Sequence, residues 1–316
     1  MYITTKREDS SSVNSAANSR AFQFRLKPLY TGVLTNKTLT SRCKRYARNT
    51  CFLAFLALSA CLTRQHIDAA IVTAMERDEP LPLAHRIDET LTIERAYDVQ
   101  KRIVRHTLRE RAPIGFKAGL TSEPARKRFN ADAPIAGVLL MPAEQTPRTI
   151  NLSDARGLHL ETEVAMRIGR PIRTRIASTE ALRTHIDGVA PAIELPNLDY
   201  EMPERLTAAD IVATNVAAAY FVVGDFVAPT SRDPNEALAR LACDEKELNV
   251  GRARDAMGDQ WTAALWLVNT MIEQGWTLER GQVLLTGALG KMLPAQPGDC
   301  VADFGTWGQL AIRIAP

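Results

Sequence analysis

The sequence predicts an α+β fold. Apolar residues recur at helical spacing in the first part of the chain after residue 64, whereas alternating and short apolar runs dominate after residue 158. Helices that come first and strands that come later favour α+β over a doubly wound parallel sheet, in which the two types alternate. No internal repeat is visible in this order of elements.

Three segments have the pattern of helices. Gln65–Glu79, Ile93–Leu108 and Gln260–Gln274 place apolar side chains three and four residues apart. Thr92 and Asp259 stand where side chains cap helix N-termini. The predicted strands are Leu158–Ile168, Val189–Leu195, Ala217–Val227, Val283–Thr286, Cys300–Phe304 and Leu310–Ile314, separated in the C-terminal part by glycines.

The charge of the chain is distributed unevenly. Residues 1–60 contain ten Lys/Arg and two acidic residues, so the remaining chain is mildly acidic although the net charge is +3. No basic patch is predicted on the folded part, and we therefore expect no nucleic-acid partner. With 46% hydrophobic and 24% charged residues, the composition is that of a globular protein with a sizeable core.

The basic N-terminal segment resembles an export signal. The basic run Arg42–Arg48 precedes the apolar run Cys51–Cys61, which is too short to span a bilayer but suits a secretory signal. Its last four residues resemble a lipobox, which would make Cys61 a lipid anchor. We expect a leader over residues 1–61, a catalytic domain over residues 62–316 and a periplasmic lipoprotein of the cell envelope. The alternative is an accidental apolar run in a cytoplasmic protein.

The cysteines do not form an obvious framework. No Cys/His spacing is typical of a zinc site. Cys243 and Cys300 are predicted either as two free buried thiols or, after export, as a disulfide, and their spacing does not decide between the two.

Two glutamates on one predicted strand are the strongest chemical signal in the chain. Because side chains alternate along a strand, Glu161 and Glu163 share one face with His159, while the neighbouring apolar residues share the other. Adjacent carboxylates repel unless a cation lies between them, and hard divalent cations prefer oxygen ligands. The alternative is an ordinary amphipathic strand with a solvated charged face.

Lys117 is the second candidate for chemistry. It stands between Phe116 and Ala118 in a weakly polar stretch, where lysine is rarely buried without a partner. It is either a cation near the carboxylates that binds an anionic substrate or moves a proton, or a surface lysine at a strand edge. No phosphate-loop, G-x-S-x-G or dinucleotide fingerprint competes with this prediction.

Taken together, these motifs resemble the fumarylacetoacetate hydrolase superfamily, in the branch of 2-keto-4-pentenoate hydratases and 4-oxalocrotonate decarboxylases. Six segments carry the resemblance: Gly115–Ser122, Leu160–Ala165, Pro191–Glu194, Asp210–Asn215, Ala263–Asn269, and Leu284–Ala288 with Pro297–Asp299. The resemblance implies a mixed β-roll or sandwich with N-terminal and flanking helices, and a homo-oligomer.

The resemblance also implies the site. It makes Glu161, Glu163 and Glu194 the ligands of one Mg²⁺ or Mn²⁺ and Lys117 the catalytic residue. It further places three residues near the substrate: Leu120, Gly287 and Lys291. The implied function is a metal-dependent hydro-lyase of aromatic-compound catabolism, acting on a small 2-oxo or 2-hydroxydienoic acid whose carboxylate and C2 oxygen chelate the metal.

One departure from the family pattern concerns the activation of water. Related hydratases carry an acidic residue shortly after the segment that corresponds to Gly137–Leu140, and here only the displaced Glu144 follows. Asn197 also stands where relatives often have aspartate. The alternatives are therefore a C–C hydrolase or decarboxylase of the same superfamily, or a non-catalytic envelope lipoprotein that binds dicarboxylates.

Overall fold

The structure is a computed structural model that describes residues 67–109 and 111–316. Within these ranges the helices are α1 (67–77), α2 (Ala84–Ile87), α3 (Ile93–Leu108), α4 (Glu123–Arg128), α5 (Thr179–Arg183), α6 (Ala208–Ala213) and α7 (Gln260–Glu273). The strands are β1 (Gly115–Gly119), β2 (Ile135–Leu139), β3 (Thr149–Asn151), β4 (His159–Ile168), β5 (Ile186–Leu195), β6 (Tyr220–Val223), β7 (Leu238–Cys243), β8 (Lys246–Arg252), β9 (Val283–Leu285), β10 (Leu293–Pro294), β11 (Gly298–Asp303) and β12 (Gln309–Ala315).

The strands form two mixed sheets. A seven-stranded sheet has the order β2-β1-β9-β4-β5-β6, with β10 paired to β4. A five-stranded sheet has the order β3-β12-β11-β7-β8. Only the pairs β1–β9 and β12–β3 are parallel among these strands, so the fold is α+β as predicted.

The two long helices α3 and α7 begin where their N-caps predict. The Thr92 hydroxyl accepts a hydrogen bond from the Arg95 N–H at the start of α3, and the Asp259 carboxylate accepts one from Thr262 at the start of α7. Each cap satisfies a backbone N–H that the helix itself leaves free. Helix α7 then packs against β1, β2 and β9.

The outer edge of β2 is closed by side chains rather than by another strand. The Tyr97 hydroxyl accepts a hydrogen bond from the Ala136 N–H, and Gln100 donates to the Ala136 carbonyl. The Asn215 side chain pairs with both backbone groups of Val138. An edge strand would otherwise leave these groups unpaired, so α3 and the turn after α6 complete the sheet.

The seven-stranded sheet has two different faces. One face packs in the main core through alternate apolar residues of β4, from Leu160 to Ile168. The other face carries small and apolar residues that form a separate cluster: Leu139, Ala165, Ala190, Ala192, Phe221, Val283 and Leu285. Glu161 and Glu163 lie on the face of this second cluster, because they are in step with Ala165 along β4.

The predicted strand Ala217–Val227 is wrong in most of its length. The chain forms a strand only over Tyr220–Val223, and Asn215–Ala217 is a tight turn with positive φ angles. The other predicted strands are present with shifted ends. The apolar pattern is a poor guide here because Ala217 is buried in the turn rather than in a strand.

Cys243 and Cys300 form a disulfide. They lie directly opposite each other on β7 and β11, which the sequence could not reveal because 57 positions separate them. The predicted leader, the predicted anchor residue Cys61 and the predicted boundary at residue 61 lie outside the described residues. Among the helices that the structure does describe, none is both long and apolar enough to cross a membrane.

Candidate metal centre

Three carboxylates converge on the second face of the seven-stranded sheet. Glu161 and Glu163 project from β4, and the register of β4 with β5 places Glu194 opposite Glu161. One carboxylate oxygen from each residue lies within 4.8 Å of the others. Glu163 and Glu194 are fully buried, and Glu161 is partly exposed, so it marks the solvent side of the cluster.

Two buried oxygens of this cluster have neither a hydrogen bond nor an ion pair among the described residues. Glu163 accepts a hydrogen bond from the Gly287 N–H at 2.8 Å with one oxygen, while its other oxygen accepts none. Glu194 has one oxygen in an ion pair with Lys117, and its other oxygen has no partner. Buried carboxylate oxygens without donors are costly, whereas a divalent cation would use them as ligands. The donor set of three carboxylates therefore fits Mg²⁺ or Mn²⁺.

The electrostatics of the cluster also favour a cation. Burial, followed by the charge of Glu194, raises the pKa of Glu161 to about 7. Burial and the two neighbouring carboxylates raise the pKa of Glu163 well above its usual value. The protein by itself therefore opposes the ionisation of Glu161 and Glu163, and a bound divalent ion would reverse that preference.

Lys117 is buried inside the same cluster. Strand β1 places it opposite Gly137 of β2 and Leu285 of β9, on the face that carries the carboxylates. Its ammonium group forms an ion pair with Glu194 and donates a hydrogen bond to the Val216 carbonyl at 3.0 Å. With 2% of its surface exposed, Lys117 is not the surface lysine of the alternative prediction.

The charge of Lys117 is stabilised by its neighbours. Burial acts to lower its pKa, but Glu194, Glu161 and Glu163 together outweigh burial, so the pKa lies above its usual value. Lys117 is therefore a held cation in this arrangement rather than a neutral base.

The three residues predicted near the substrate differ in their surroundings. Leu120 follows β1 with a left-handed φ of 54°. Gly287 uses its N–H to hold Glu163, so that group is not free for a substrate. The Lys291 side chain is exposed, and its backbone N–H donates to Asn249 at 3.2 Å. Contact of these residues with a substrate stays a prediction.

Two nearby residues do not join the cluster. His159 shares the face of Glu161, but its Nδ1 bonds to the Gly157 carbonyl at 2.8 Å and the metal-binding group does not include it. Burial, then the charge of Arg128, lowers the pKa of His159. Glu144 is exposed on a short turn and lines a separate cavity of about 330 Å³ with Arg167 and Phe226, so it does not replace the missing acid.

Asn249 is a residue that sequence reasoning missed. From β8 it donates to the Leu289 carbonyl at 2.9 Å and accepts from Lys291, and thereby holds the loop that begins with Gly287. It carries no sequence signal, because it belongs to the other sheet and its contact with residues 289–291 is purely tertiary.

Comparisons with known proteins agree with this architecture. The model of the fumarylacetoacetate hydrolase C-terminal family matches residues 130–315. The chain is 26% identical over 242 residues to a 2-keto-4-pentenoate hydratase of Paraburkholderia xenovorans, covering 75% of this chain and 88% of that protein. It is 25% identical over 214 residues to a 4-oxalocrotonate decarboxylase of a Pseudomonas species, covering 67% and 82% of the two chains.

A solved structure has a similar fold. The 4-oxalocrotonate decarboxylase of Pseudomonas putida, complexed with magnesium and adipate, superimposes with a TM-score of 0.73 at 20% identity and covers 79% of this chain and 97% of that one. Because the family model spans more than half of the 316 residues, the chain belongs to the fumarylacetoacetate hydrolase family, as a hydratase-like enzyme of the branch that holds 2-keto-4-pentenoate hydratases and 4-oxalocrotonate decarboxylases.

Proposed function

We propose that this protein is a lyase that uses Mg²⁺ or Mn²⁺ to act on a small 2-oxo or 2-hydroxydienoic acid. The observation that carries the proposal is the convergence of Glu161, Glu163 and Glu194 with two buried oxygens that lack donors. The names of related hydratases and of a related decarboxylase specify acids of this type as their substrates, which supports the proposed substrate class.

The bound metal would act as a Lewis acid on a substrate chelated through its carboxylate and C2 oxygen. The chain supplies the remaining parts. The three glutamates hold the ion, and the Gly287 N–H keeps the Glu163 carboxylate in place. Lys117 lies against the cluster as a cation, where it can stabilise the negative charge of an enolate and hold a proton for the reacting carbon.

Decarboxylation is the second candidate, and one observation favours it. The segment just after β2, where the resemblance implies an acidic residue in hydratases, reads Met141-Pro142-Ala143 in this chain before the displaced Glu144. Asn197 does not compensate, because its side-chain oxygen accepts the Gly157 N–H at 2.9 Å. A decarboxylase needs an electron sink but no group that activates water, and the metal and Lys117 would supply that sink.

The test is a turnover assay with product analysis. Purified protein with Mg²⁺ is given 2-hydroxypenta-2,4-dienoate, 4-oxalocrotonate and an acylpyruvate, and dienol absorbance, CO₂ and acid products are followed. Hydration gives a hydroxy-oxo acid, decarboxylation gives CO₂, and C–C hydrolysis gives two acids. Tight oxalate binding without turnover across such a panel would favour the non-catalytic dicarboxylate-binding protein and overturn the lyase.

We also propose that residues 1–61 direct export and that Cys61 carries a lipid anchor. The support is the basic run followed by a short apolar run and a lipobox-like end. Membrane fractionation of the full chain tests this, with Cys61→Ser as the control that should release the protein. An unchanged distribution of that variant would favour the cytoplasmic alternative. The homo-oligomer also remains a proposal, which the molar mass in solution tests.

A further inference from the structure

The turn after α6 has an unusual backbone. Asn215, Val216 and Ala217 have φ angles of 60°, 52° and 53°, which is the left-handed region. Residues with a Cβ atom rarely adopt it, and a β-branched residue such as valine does so least of all. Three in succession persist only where the surrounding structure holds them, and such strain concentrates at functional sites.

The Asn215 side chain is what holds this turn. Its oxygen accepts the Val138 N–H at 2.8 Å, and its amide donates to the Val138 carbonyl at 2.8 Å. The side chain is buried and so replaces a missing strand partner at the edge of β2. The turn is thereby fixed to the strand that runs beside Lys117.

Two glycines let the turn approach the sheet closely. A Cβ atom on Gly137, which pairs with Lys117 in the sheet, would lie 3.0 Å from the Asn215 carbonyl oxygen and 3.0 Å from Val216. A Cβ atom on Gly119 would lie 2.7 Å from the Val216 side chain. Side chains at these positions would push the turn away from Lys117, so the close approach depends on their absence.

As a result of this close approach, one backbone carbonyl accepts a hydrogen bond from the Lys117 ammonium group. The Val216 oxygen lies 3.0 Å from the ammonium nitrogen, and Glu194 is the second partner of the same group. An ammonium group has three N–H donors. The two protein partners therefore determine the direction of the third donor.

We propose that the left-handed turn Asn215–Ala217 positions Lys117 for the reaction, and that Asn215 is the positioning residue that maintains it. The inference rests on the proposed function for its kinetic consequence. It goes beyond that function by assigning a role to a residue whose side chain bonds to the Val138 backbone rather than to the carboxylates.

The matched control is Asn269. Its side chain makes the same two-bond contact with the Ile176 backbone, at 2.8 Å and 3.0 Å, and it is similarly buried, but it lies outside the carboxylate cluster. We expect Asn215→Ala to lower kcat about 10- to 100-fold with KM changed no more than about twofold, because the ammonium is misplaced. We expect Asn269→Ala to lower the melting temperature and leave kcat nearly unchanged.

A spectroscopic readout separates this inference from the proposed function. In protein labelled with ¹⁵N-lysine, the Lys117 ammonium signal is assigned by its loss in Lys117→Arg. We expect Asn215→Ala to shift or broaden it and Asn269→Ala to leave it in place, with no substrate present. If Asn215→Ala fails to fold, Asn215→Asp, which retains the acceptor for the Val138 N–H, is measured instead and should show a smaller shift.

The outcomes are distinct. A Lys117 signal that moves with Asn215 but not with Asn269 supports the positioning role, even if no tested acid is turned over and the proposed function falls. A signal and a kcat that are the same in both variants, or that follow only the loss of stability, would overturn it.

Discussion

Glu163 is the residue on which the candidate metal centre most depends. One of its oxygens is held by the Gly287 N–H, and the other is buried with no donor among the described residues. Its carboxylate is therefore already oriented to bind a metal ion. Replacement of Glu163 should weaken metal binding more than it lowers the stability of the fold.

We expect Glu163→Gln to weaken Mg²⁺ binding by at least about 100-fold, because the change removes one charged oxygen ligand and keeps the size of the side chain. Isothermal titration calorimetry measures this directly. Glu144→Gln is the matched control, because Glu144 is exposed on a turn and is not one of the three clustered carboxylates. This variant should bind Mg²⁺ as tightly as the unmodified protein does. Equal Mg²⁺ affinities of the two variants would show that Glu163 is not a ligand of the metal.

The stability of the metal-free protein should fall as pH rises. Folding raises the pKa of the Glu161 carboxyl from 4.5 to about 7, so the folded state binds the proton more tightly than the unfolded chain does. The loss of unfolding free energy caused by Glu161 is absent below pH 4.5, grows from pH 4.5 to about pH 7 and is constant above that. Melting temperatures measured in a chelator from pH 4 to 8 test this. Saturating Mg²⁺ should flatten the curve, whereas Glu161→Gln should make it shallower and leave the part that belongs to Glu163. A metal-free curve that rises over the same interval would contradict it.

At the scale of elements, the pairing of β4 with β5 creates the centre. Glu161 lies opposite Glu194, and both strands have small residues further along the same face. A slip of one residue in either strand would turn its carboxylates to the apolar core. The loop after β9 completes the arrangement, since its first glycine reaches across to Glu163.

Replacement of Gly287 tests the role of this loop. A Cβ atom there would lie 2.5 Å from the Thr121 side chain, at a φ of 111°. Gly281 also has a positive φ, 89°, but no atom lies within 4 Å of its Cβ position. We expect Gly281→Ala to cost about 1 kcal/mol of unfolding free energy from backbone strain alone. Gly287→Ala should cost more and should also weaken Mg²⁺ binding. If Gly287→Ala and Gly281→Ala have equal effects in denaturant unfolding and in Mg²⁺ titrations, the loop does not support Glu163.

At the scale of the whole molecule, the five-stranded sheet supports the loop next to the carboxylates of the seven-stranded sheet. Its strand β8 supplies Asn249, which holds the loop of residues 287–291, and its strands β7 and β11 are joined by the Cys243–Cys300 disulfide. The disulfide lies in the five-stranded sheet, whereas the carboxylates lie in the seven-stranded one. Its contribution should therefore be to stability rather than to metal binding.

We expect the double variant Cys243→Ser, Cys300→Ser to lose about 4 kcal/mol of unfolding free energy, because the crosslink joins residues 57 positions apart and closes that loop in the unfolded chain. Guanidinium unfolding with and without a reductant measures the loss, and the double variant should no longer respond to the reductant. Its Mg²⁺ affinity should stay that of the parent protein. A reductant that leaves the parent protein's midpoint unchanged would contradict the prediction.

The sequence by itself determined the features that depend on near neighbours. The order of helices and strands, the caps Thr92 and Asp259, and the shared face of Glu161 and Glu163 follow from short-range periodicity and local hydrogen bonds. Glu194 entered the prediction only through the family resemblance, because nothing local links it to residues more than 30 positions away.

Only the tertiary structure decided the rest. The burial of Lys117, the left-handed turn at Asn215–Ala217, the hold of Asn249 on the loop and the pairing of Cys243 with Cys300 all join segments that are distant in the chain. Their energies come from strand register and close packing, which no window of sequence contains. A lysine between two apolar residues has the same local pattern at a surface and in a core, and only the carboxylates that meet it across the sheet distinguish the two.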